Sequence, residues 1–232
     1  MTPGDMMTVN ICCVFAENDI FTERDRLLMR CVSEKRREKI KRYRYDIDRK
    51  LSLYAELLCA VQLRQLRGDA ELPVDICPGK YGKPHFSHDY GLHFNWSHTR
   101  KCVICASSSE GMVGADVEKN DTPPFDVMEL AFHKDEIAYV DASESGQQRC
   151  RRFFEVWTRK EAYGKYTGEG LSETMTGVNL LDDDRAEKLH TWEYGGYIFS
   201  VCLAERYEKI DIEYMNETGF TELGLRIAES IK

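Results

Sequence analysis

A proline-free run of good helix formers extends from Arg151 to Thr167 and is followed by Gly168. A glycine directly after such a run is a common helix terminator, so the sequence predicts one long helix here. Glu161 and Lys165 lie four positions apart and therefore share one face of that helix. Taken alone, the two residues are typical of a solvated ion pair; the alternative is that both face one ligand.

The segment Val113 to Glu118 is predicted to be a strand, preceded by the apolar run Cys102 to Ala106. Because side chains on a strand alternate between its two faces, Asp116 and Glu118 lie on the same face. Adjacent carboxylates repel one another, and an oxygen-ligated divalent cation is the common way to relieve that repulsion. With Glu161 delivered from the helix, the carboxylates would suit Mg²⁺, with Mn²⁺ as the alternative metal.

Each half of the chain offers several strands and one long helix. In the first half this is the amphipathic helix Asp46 to Arg67, which ends at Gly68. We expect an α+β fold of two pseudo-symmetric halves, residues 1–115 and 116–232, each a small, mostly antiparallel sheet packed with a long helix, with the active site between them. The other predicted elements are the strand Met7–Phe15, the helix Phe21–Val32 with Thr22 as N-cap, the short helices Val127–Phe132 and Glu136–Val140, an exposed and mobile loop Ser143–Gln148, and the strands Gly177–Leu181, Leu189–Tyr194, Tyr197–Ala204 and Ile210–Met215.

The segment from Lys35 to Lys50 is the most basic part of the chain, with nine basic and three acidic residues. Such a run is usually a solvated helix face; the alternative is a site for a compact polyanion, since guanidinium and ammonium groups suit phosphate oxygens. The formal net charge of −8 argues against a general nucleic-acid binder. An acidic protein with one basic cluster favours a small phosphorylated ligand.

Two further phrases offer groups for such a ligand. Lys80 to Pro84 reads K-Y-G-K-P, a turn in which Gly82 lets a ligand approach the backbone and Lys83 offers a charge. Phe94 to His98 reads F-N-W-S-H and is the end of an alternating strand. Neighbours on a strand point to opposite faces, so we reject a Ser–His hydrolase.

Nine cysteines without metal-site spacing predict reduced thiols rather than disulfides or zinc. No apolar run approaches the ~20 residues needed to cross a bilayer, and the N-terminus lacks a signal-peptide pattern. We therefore expect a cytoplasmic protein that binds neither membranes nor nucleic acid.

Five phrases in order, from Ser33 to Leu171, resemble the 4′-phosphopantetheinyl transferases of the Sfp type: S-E-K-R-R-E-K-I-K-R-Y, Y-G-K-P, F-N-W-S-H, G-A-D-V-E and W-T-R-K-E-A-Y-G-K-Y-T-G-E-G-L. The resemblance covers more than half of the chain and implies two pseudo-symmetric α+β halves with coenzyme A and Mg²⁺ between them. It also implies transfer of the phosphopantetheine arm of coenzyme A to a serine of an apo acyl or peptidyl carrier protein, with release of adenosine 3′,5′-bisphosphate. This holo-[acyl-carrier-protein] synthase reaction implies a role in natural-product or fatty acid biosynthesis.

The same resemblance assigns the site residues: Mg²⁺ to Asp116, Glu118 and Glu161; the pyrophosphate to Ser97, His98 and Lys165; adenine and ribose to Gly82, Lys83 and Pro84; and the 3′-phosphate to Arg36, Lys39 and Arg49. Glu161, Lys165 and His98 are the implied catalytic residues. The serine proton passes either to Glu161 or to a metal-bound water that Glu161 orients. Thus the N-terminal half supplies the coenzyme A contacts, and the C-terminal half supplies the metal-binding helix and the side that faces the carrier protein. The chain departs from the family pattern at Arg36, where a lysine is usual, and at Trp96 and Ala115, where branched aliphatic residues are usual.

Three other functions stay open on the residues alone. Two acidic residues with Glu-x-x-x-Lys also suit a Mg²⁺-dependent nuclease or phosphatase, and loss of chemistry would leave a module that only binds a nucleotide or a carrier protein. The basic run also suits an RNA-binding arm. We expect the carrier protein to dock on the loop Lys119 to Phe125 and the short helix after it, and two similar halves in one chain favour a monomer. The sequence does not distinguish fatty-acid, polyketide and nonribosomal-peptide carriers.

Overall fold

The computed structural model describes residues 8–68, 70–79, 82–170, 173–204 and 209–229. Met7, Lys80, Tyr81 and Leu171, which take part in the predictions above, lie outside these ranges. Within the ranges, no helix is both long enough and apolar enough to cross a membrane.

Strands and helices are mixed along the chain. The strands are β1 (Thr8–Phe15), β2 (Ile76–Pro78), β3 (Pro84–Phe86), β4 (His93–Thr99), β5 (Cys102–Ser108), β6 (Val113–Lys119), β7 (Leu189–Tyr194), β8 (Tyr197–Leu203) and β9 (Lys209–Asn216). The helices are α1 (Glu23–Leu28), α2 (Glu34–Arg42), α3 (Asp46–Arg67), α4 (Met128–Ala131), α5 (Lys134–Asp141), α6 (Gly146–Thr167), α7 (Asp183–Ala186) and α8 (Glu217–Glu229).

The first sheet has the strand order β4-β5-β1-β9 and is covered by α3. β1 is antiparallel to β5 and parallel to β9. Helix α3 carries an apolar stripe at spacings of three and four, and its side chains Leu51, Tyr54, Leu58 and Val61 are each at most 3% exposed. The helix ends at Gly68, as predicted, where a φ of 59° favours glycine.

The second sheet has the order β6-β8-β7, with antiparallel pairs throughout, and is covered by α6. Phe153 and Val156 of α6 pack into a buried cluster with Ile198 of β8. Thr158 and Ser200 add a buried hydrogen bond between their hydroxyl groups at 2.8 Å, so the helix is held on the sheet by both apolar and polar contacts.

These two sheets with their long helices confirm the predicted α+β fold. The division between residues 115 and 116 stays a prediction. β6 spans that position, and β9 and α8 return to the first sheet. There Glu217, at the start of α8, forms a buried ion pair with Lys50 of α3 at 2.6 Å.

The start of α6 differs from the prediction. The helix begins at Gly146 rather than Arg151, so the expected mobile loop Ser143–Gln148 is wrong over its last three residues. Ser145 is the N-cap, and its side chain accepts a hydrogen bond from the Gln148 N–H. This local cap extends the helix into a polar segment that lacks apolar periodicity.

Two other expectations differ in the second half. Gly177–Leu181 is not a strand: a 3₁₀ turn occupies Glu173–Gly177, and the Leu180 N–H donates to the buried Glu136 carboxylate at 2.8 Å. The segment is held by a side chain instead of by a neighbouring strand. Helix α8 was not predicted at all.

Candidate active site

The two sheets meet where β4, at the edge of the first, lies beside β6, at the edge of the second. Asn95 of β4 accepts a hydrogen bond from the Ala115 N–H of β6 at 2.9 Å. Gly114 lies directly against α6, because a Cβ atom at this position would overlap the Ala162 carbonyl oxygen and lie 2.5 Å from the Tyr166 nitrogen. The absence of a side chain at Gly114 therefore lets α6 reach the carboxylates of β6.

Lys165 of α6 lies at the centre of a polar cluster at this junction. Its Nζ donates hydrogen bonds to Asp116 Oδ1 at 2.6 Å, Ser97 Oγ at 2.9 Å and the Ala115 carbonyl oxygen at 3.2 Å. The Ser97 hydroxyl donates to the same Asp116 Oδ1 at 2.8 Å. The Asp116 side chain is 4% exposed, and no group of the described residues donates to its other oxygen, Oδ2. One buried carboxylate oxygen is thus left to accept from a ligand.

Glu118 and Glu161 lie close enough to Asp116 for their charges to interact. Desolvation, followed by repulsion from Asp116, raises the pKa of Glu118 to about 7. Desolvation and Asp116 also raise the pKa of Glu161, while Lys165 acts in the opposite direction. The three side chains therefore form one cluster of interacting carboxyl groups, to which the Lys165 ammonium group is hydrogen-bonded through Asp116.

Thr99 belongs to this cluster and was missed in the sequence. Its hydroxyl donates to Glu118 Oε2 at 2.8 Å, just as Ser97 donates to Asp116. Thr99 follows Ser97 by two residues on β4, and Glu118 follows Asp116 by two on β6. A matching period of two on neighbouring strands is the signal that could have identified Thr99.

The cluster has the donor chemistry of a divalent-cation site. Asp116 and Glu118 share one face of β6, carboxylate oxygens are the ligands that Mg²⁺ prefers, and Asp116 Oδ2 has an unused lone pair in a buried position. In the described part of the chain, however, no three histidine, cysteine or carboxylate side chains converge at metal-ligand spacing. The ligand set of Asp116, Glu118 and Glu161 stays a prediction.

A basic cavity of about 600 Å³ adjoins α2. Its walls include Arg36 and Lys39 from α2, and Gly82 and Pro84 from the hairpin that β2 and β3 form. Desolvation lowers the pKa of His98 on β4, and the charges of Lys165, Arg36 and Lys39 lower it further. Strand β4 lies between the cavity and the carboxylate cluster, because its Trp96 contacts Arg36 of the cavity wall and the next residue, Ser97, accepts a hydrogen bond from Lys165.

Arg49 does not line this cavity. Its Nε donates to the Tyr43 carbonyl oxygen at 3.0 Å, and its Nη1 donates to Asp46 at 2.9 Å. The side chain thus ties together the turn between α2 and α3. Its assignment to the 3′-phosphate stays a prediction.

Lys83 is also turned away from the basic cavity. Its Nζ donates to the Val113 carbonyl oxygen at 3.1 Å and the Tyr166 carbonyl oxygen at 3.4 Å, and desolvation lowers its pKa to about 8. It lines a second cavity of about 440 Å³ whose apolar wall includes Phe86 and Phe94. Lys83 therefore joins the hairpin to β6 and α6, and its predicted contact with adenine or ribose stays a prediction.

Comparison with known proteins finds two family models along the chain. Residues 112–209 match the model of the 4′-phosphopantetheinyl transferase superfamily, and residues 22–110 match that of the 4′-phosphopantetheinyl transferase N-terminal region. A 4′-phosphopantetheinyl transferase of Bacillus subtilis is 30% identical over 163 residues, which is 69% of this chain and 71% of that protein.

Two further relatives match over longer stretches. The 4′-phosphopantetheinyl transferase gsp of Aneurinibacillus migulanus is 31% identical over 183 residues, covering 74% of this chain and 76% of the relative. The 4′-phosphopantetheinyl transferase Sfp of Bacillus subtilis strain 168 is 27% identical over 205 residues, covering 82% of this chain and 90% of the relative. The structure and these matches agree, and the chain belongs to the 4′-phosphopantetheinyl transferase superfamily, a family of transferase enzymes.

Proposed function

We propose that the protein transfers the 4′-phosphopantetheine arm of coenzyme A to a serine of an apo acyl or peptidyl carrier protein and releases adenosine 3′,5′-bisphosphate. Mg²⁺ is the proposed metal, with Mn²⁺ as a substitute. The observation that carries the proposal is that β4 links the Lys165 and carboxylate cluster to the basic cavity, through the contact of Ser97 with Lys165 and that of Trp96 with Arg36. This arrangement suits a diphosphate that carries a further phosphate monoester.

The proposed donor spans both parts of the site. The 3′-phosphate lies in the basic cavity against Arg36 and Lys39, and the base and ribose lie beside Gly82 and Pro84. The pyrophosphate lies at Lys165, and His98 is the further proposed contact on the pyrophosphate side. Because the pKa of His98 is lowered, its ring stays neutral at neutral pH and can donate one N–H to a phosphate oxygen.

In the proposed reaction, the serine Oγ of the carrier forms a bond to the β-phosphorus of coenzyme A. The bond from that phosphorus to the bridging oxygen breaks, and its electron pair leaves on the bisphosphate. Lys165 Nζ stabilises the negative charge that develops on the phosphate oxygens. Bound to Asp116, Glu118 and Glu161, Mg²⁺ would supply further neutralisation of those oxygens. The serine proton passes either to the Glu161 carboxylate or to a water molecule that Glu161 orients.

The proposed docking surface for the carrier protein is the loop Lys119 to Phe125 together with α4. Leu130 of α4 is 75% exposed, the highest value among the large apolar side chains of the described residues. The guanidinium of Arg149 lies 4.1 Å from the centre of the Phe125 ring and pairs with Asp141 at 2.9 Å. An exposed leucine on a short helix suits a partner that buries apolar surface there.

We propose a monomeric, cytoplasmic enzyme. Lys165 and Asp116 come from the second half of the chain and Ser97 from the first, so one chain supplies the whole cluster. The nine cysteines are free thiols, which supports a reducing compartment.

Nucleotide analysis with and without a carrier protein tests this proposal. Protein, coenzyme A and Mg²⁺ are incubated with apo acyl carrier protein, with apo peptidyl carrier protein, or with either carrier after its acceptor serine is changed to alanine. We expect adenosine 3′,5′-bisphosphate in amounts equal to the modified carrier, and only when the serine is present. Release of adenosine 3′,5′-bisphosphate without a carrier would contradict the proposal and indicate hydrolysis of the pyrophosphate linkage by water. Binding of coenzyme A without any product would indicate a module that has lost chemistry.

A further inference from the structure

Arg36 is held by three neighbours in the wall of the basic cavity. Its Nε donates to Glu56 Oε2 at 2.8 Å, and its Nη1 donates to the Ser52 hydroxyl at 3.1 Å. Its guanidinium also lies over the Trp96 ring, 5.2 Å from the ring centre. With 13% of its side chain exposed, Arg36 has little of the freedom that a surface arginine normally has.

Glu56 holds the Arg36 guanidinium in place and accepts two hydrogen bonds from residues at the start of α2. It is 3% exposed, and its Oε1 accepts the Ser33 N–H at 2.6 Å while its Oε2 accepts the Arg36 Nε–H. Ser33 is the N-cap of α2, so one carboxylate fixes both the start of that helix and the arginine on its first turn. The two donors address different oxygens of Glu56, and in a glutamine one of these positions becomes an NH₂ group, which cannot accept a hydrogen bond.

Trp96 provides the flat support on which the guanidinium lies. It stacks on Phe94 with ring centres 5.1 Å apart, which holds the indole in place. A planar cation on an aromatic face is more strongly oriented than a lysine ammonium would be.

We propose that Glu56 and Trp96 are positioning residues that fix the Arg36 guanidinium as a fork for a phosphate monoester in the basic cavity. Among the described residues, the guanidinium N–H groups of Arg36 that Glu56 and Ser52 do not engage have no other hydrogen-bond acceptor, so they can bind the phosphate in a bidentate manner. The inference rests on the proposed function, in which this phosphate is the 3′-phosphate of coenzyme A.

The charge of Glu56 allows a sharp test of this role. A carboxylate in the cavity wall repels a phosphate, so charge alone predicts that Glu56→Gln strengthens phosphate binding. A positioning role of Glu56 predicts weaker phosphate binding instead, because the glutamine loses its hydrogen bond either to Arg36 or to Ser33 at the start of α2. Glu38 lines the same cavity and pairs with Lys41 rather than Arg36, so Glu38→Gln removes an equal charge without touching the fork.

Calorimetric titration with two nucleotides measures the effect without any need for activity. Adenosine 3′,5′-bisphosphate and adenosine 5′-monophosphate differ only in the 3′-phosphate. We expect Glu56→Gln to weaken binding of the bisphosphate about tenfold, which is ~1.4 kcal/mol, and to leave the monophosphate unchanged. Trp96→Leu should show the same selective loss to a smaller extent, and Glu38→Gln should bind the bisphosphate at least as tightly as the unmodified protein.

Equal or tighter binding of the bisphosphate by Glu56→Gln would overturn the inference, as would equal losses for both nucleotides. If Glu56→Gln does not fold, as judged by its melting curve, Trp96→Leu decides on the same criterion. If the transfer assay above fails but the bisphosphate is still bound more tightly than the monophosphate, the proposed function is rejected and the inference about Arg36 is retained.

Discussion

At the scale of single residues, the site depends on Gly114. Replacing Gly114 by alanine would put a methyl group into the backbone of α6 at Ala162 and Tyr166. We expect Gly114→Ala to lower the free energy of unfolding by about 3 kcal/mol, since neither backbone can yield without moving the helix. Because Lys165 would move away from Asp116, the variant should also lose nearly all transfer activity.

A matched control is Gly146→Ala in the first turn of α6, where an added Cβ meets nothing within 4 Å. This variant should keep its activity and be as stable as the unmodified protein or slightly more so. Urea denaturation of both variants is the measurement. Stability of Gly114→Ala equal to that of Gly146→Ala would show that β6 and α6 do not approach as described.

The lowered pKa of Lys83 predicts that the free energy of unfolding depends on pH. Desolvation lowers its pKa from 10.5 to about 8, so between these values the unfolded chain binds the proton that the folded protein has lost. The free energy of unfolding contributed by Lys83 must therefore rise with pH across this range. We expect unmodified protein to gain stability relative to Lys83→Met from pH 8 to pH 10 in urea denaturation. A difference that stays constant over this range would contradict the pKa assignment.

Sequence reasoning placed Asp116 and Glu118 together because strand periodicity is local. It missed Thr99, and it could not foresee that Lys83 would donate to the carbonyl oxygens of Val113 and Tyr166. Those contacts depend on the distance between elements that are far apart in the chain. Strand periodicity predicts the face of the strand on which a side chain lies, whereas the residue that it contacts depends on tertiary packing.

At the scale of secondary structure, the long helices were predictable and their short neighbours were not. Helix α3 matched its predicted ends, since its apolar stripe and terminal Gly68 are both visible in the sequence. The first turn of α6 was missed because its signal is a cap at Ser145 without apolar periodicity. Leu180 is held by the Glu136 carboxylate, a tertiary contact that an apolar run cannot reveal.

The proposed docking surface on α4 can be tested by kinetics. Leu130→Glu should raise the KM for the carrier about tenfold and leave the KM for coenzyme A unchanged, because it places a charge on the proposed apolar contact. The protein should keep its stability, since Leu130 is 75% exposed. Steady-state kinetics with each substrate varied in turn measure both constants.

The control for this prediction is Leu66→Glu, which adds the same charge to another exposed leucine at the end of α3. Its kinetics should match those of the unmodified protein. Equal effects of the two substitutions, or no effect of Leu130→Glu, would place the carrier elsewhere.

At the scale of the whole molecule, strands from the two ends of the described chain pair in one sheet. β1 pairs with β9 in parallel, from Thr8 with Lys209 to Phe15 with Asn216, although these strands lie at opposite ends of the described chain. Sequence patterns predicted both strands but not their pairing, because pairing over such separations is not a local property. At the opposite edge of this sheet, β4 lies beside β6 of the second sheet, and this contact brings Ser97 within hydrogen-bonding distance of Asp116 and Lys165.

The most direct test of the central claim is the intact mass of an apo carrier protein after incubation with this protein, coenzyme A and Mg²⁺. We expect the carrier to gain the mass of one phosphopantetheine, and the gain to disappear with EDTA and with Asp116→Asn, which removes the charge of the buried carboxylate. A gain that persists under both conditions would contradict the role of the carboxylate cluster. No gain with any class of apo carrier would contradict the transfer itself.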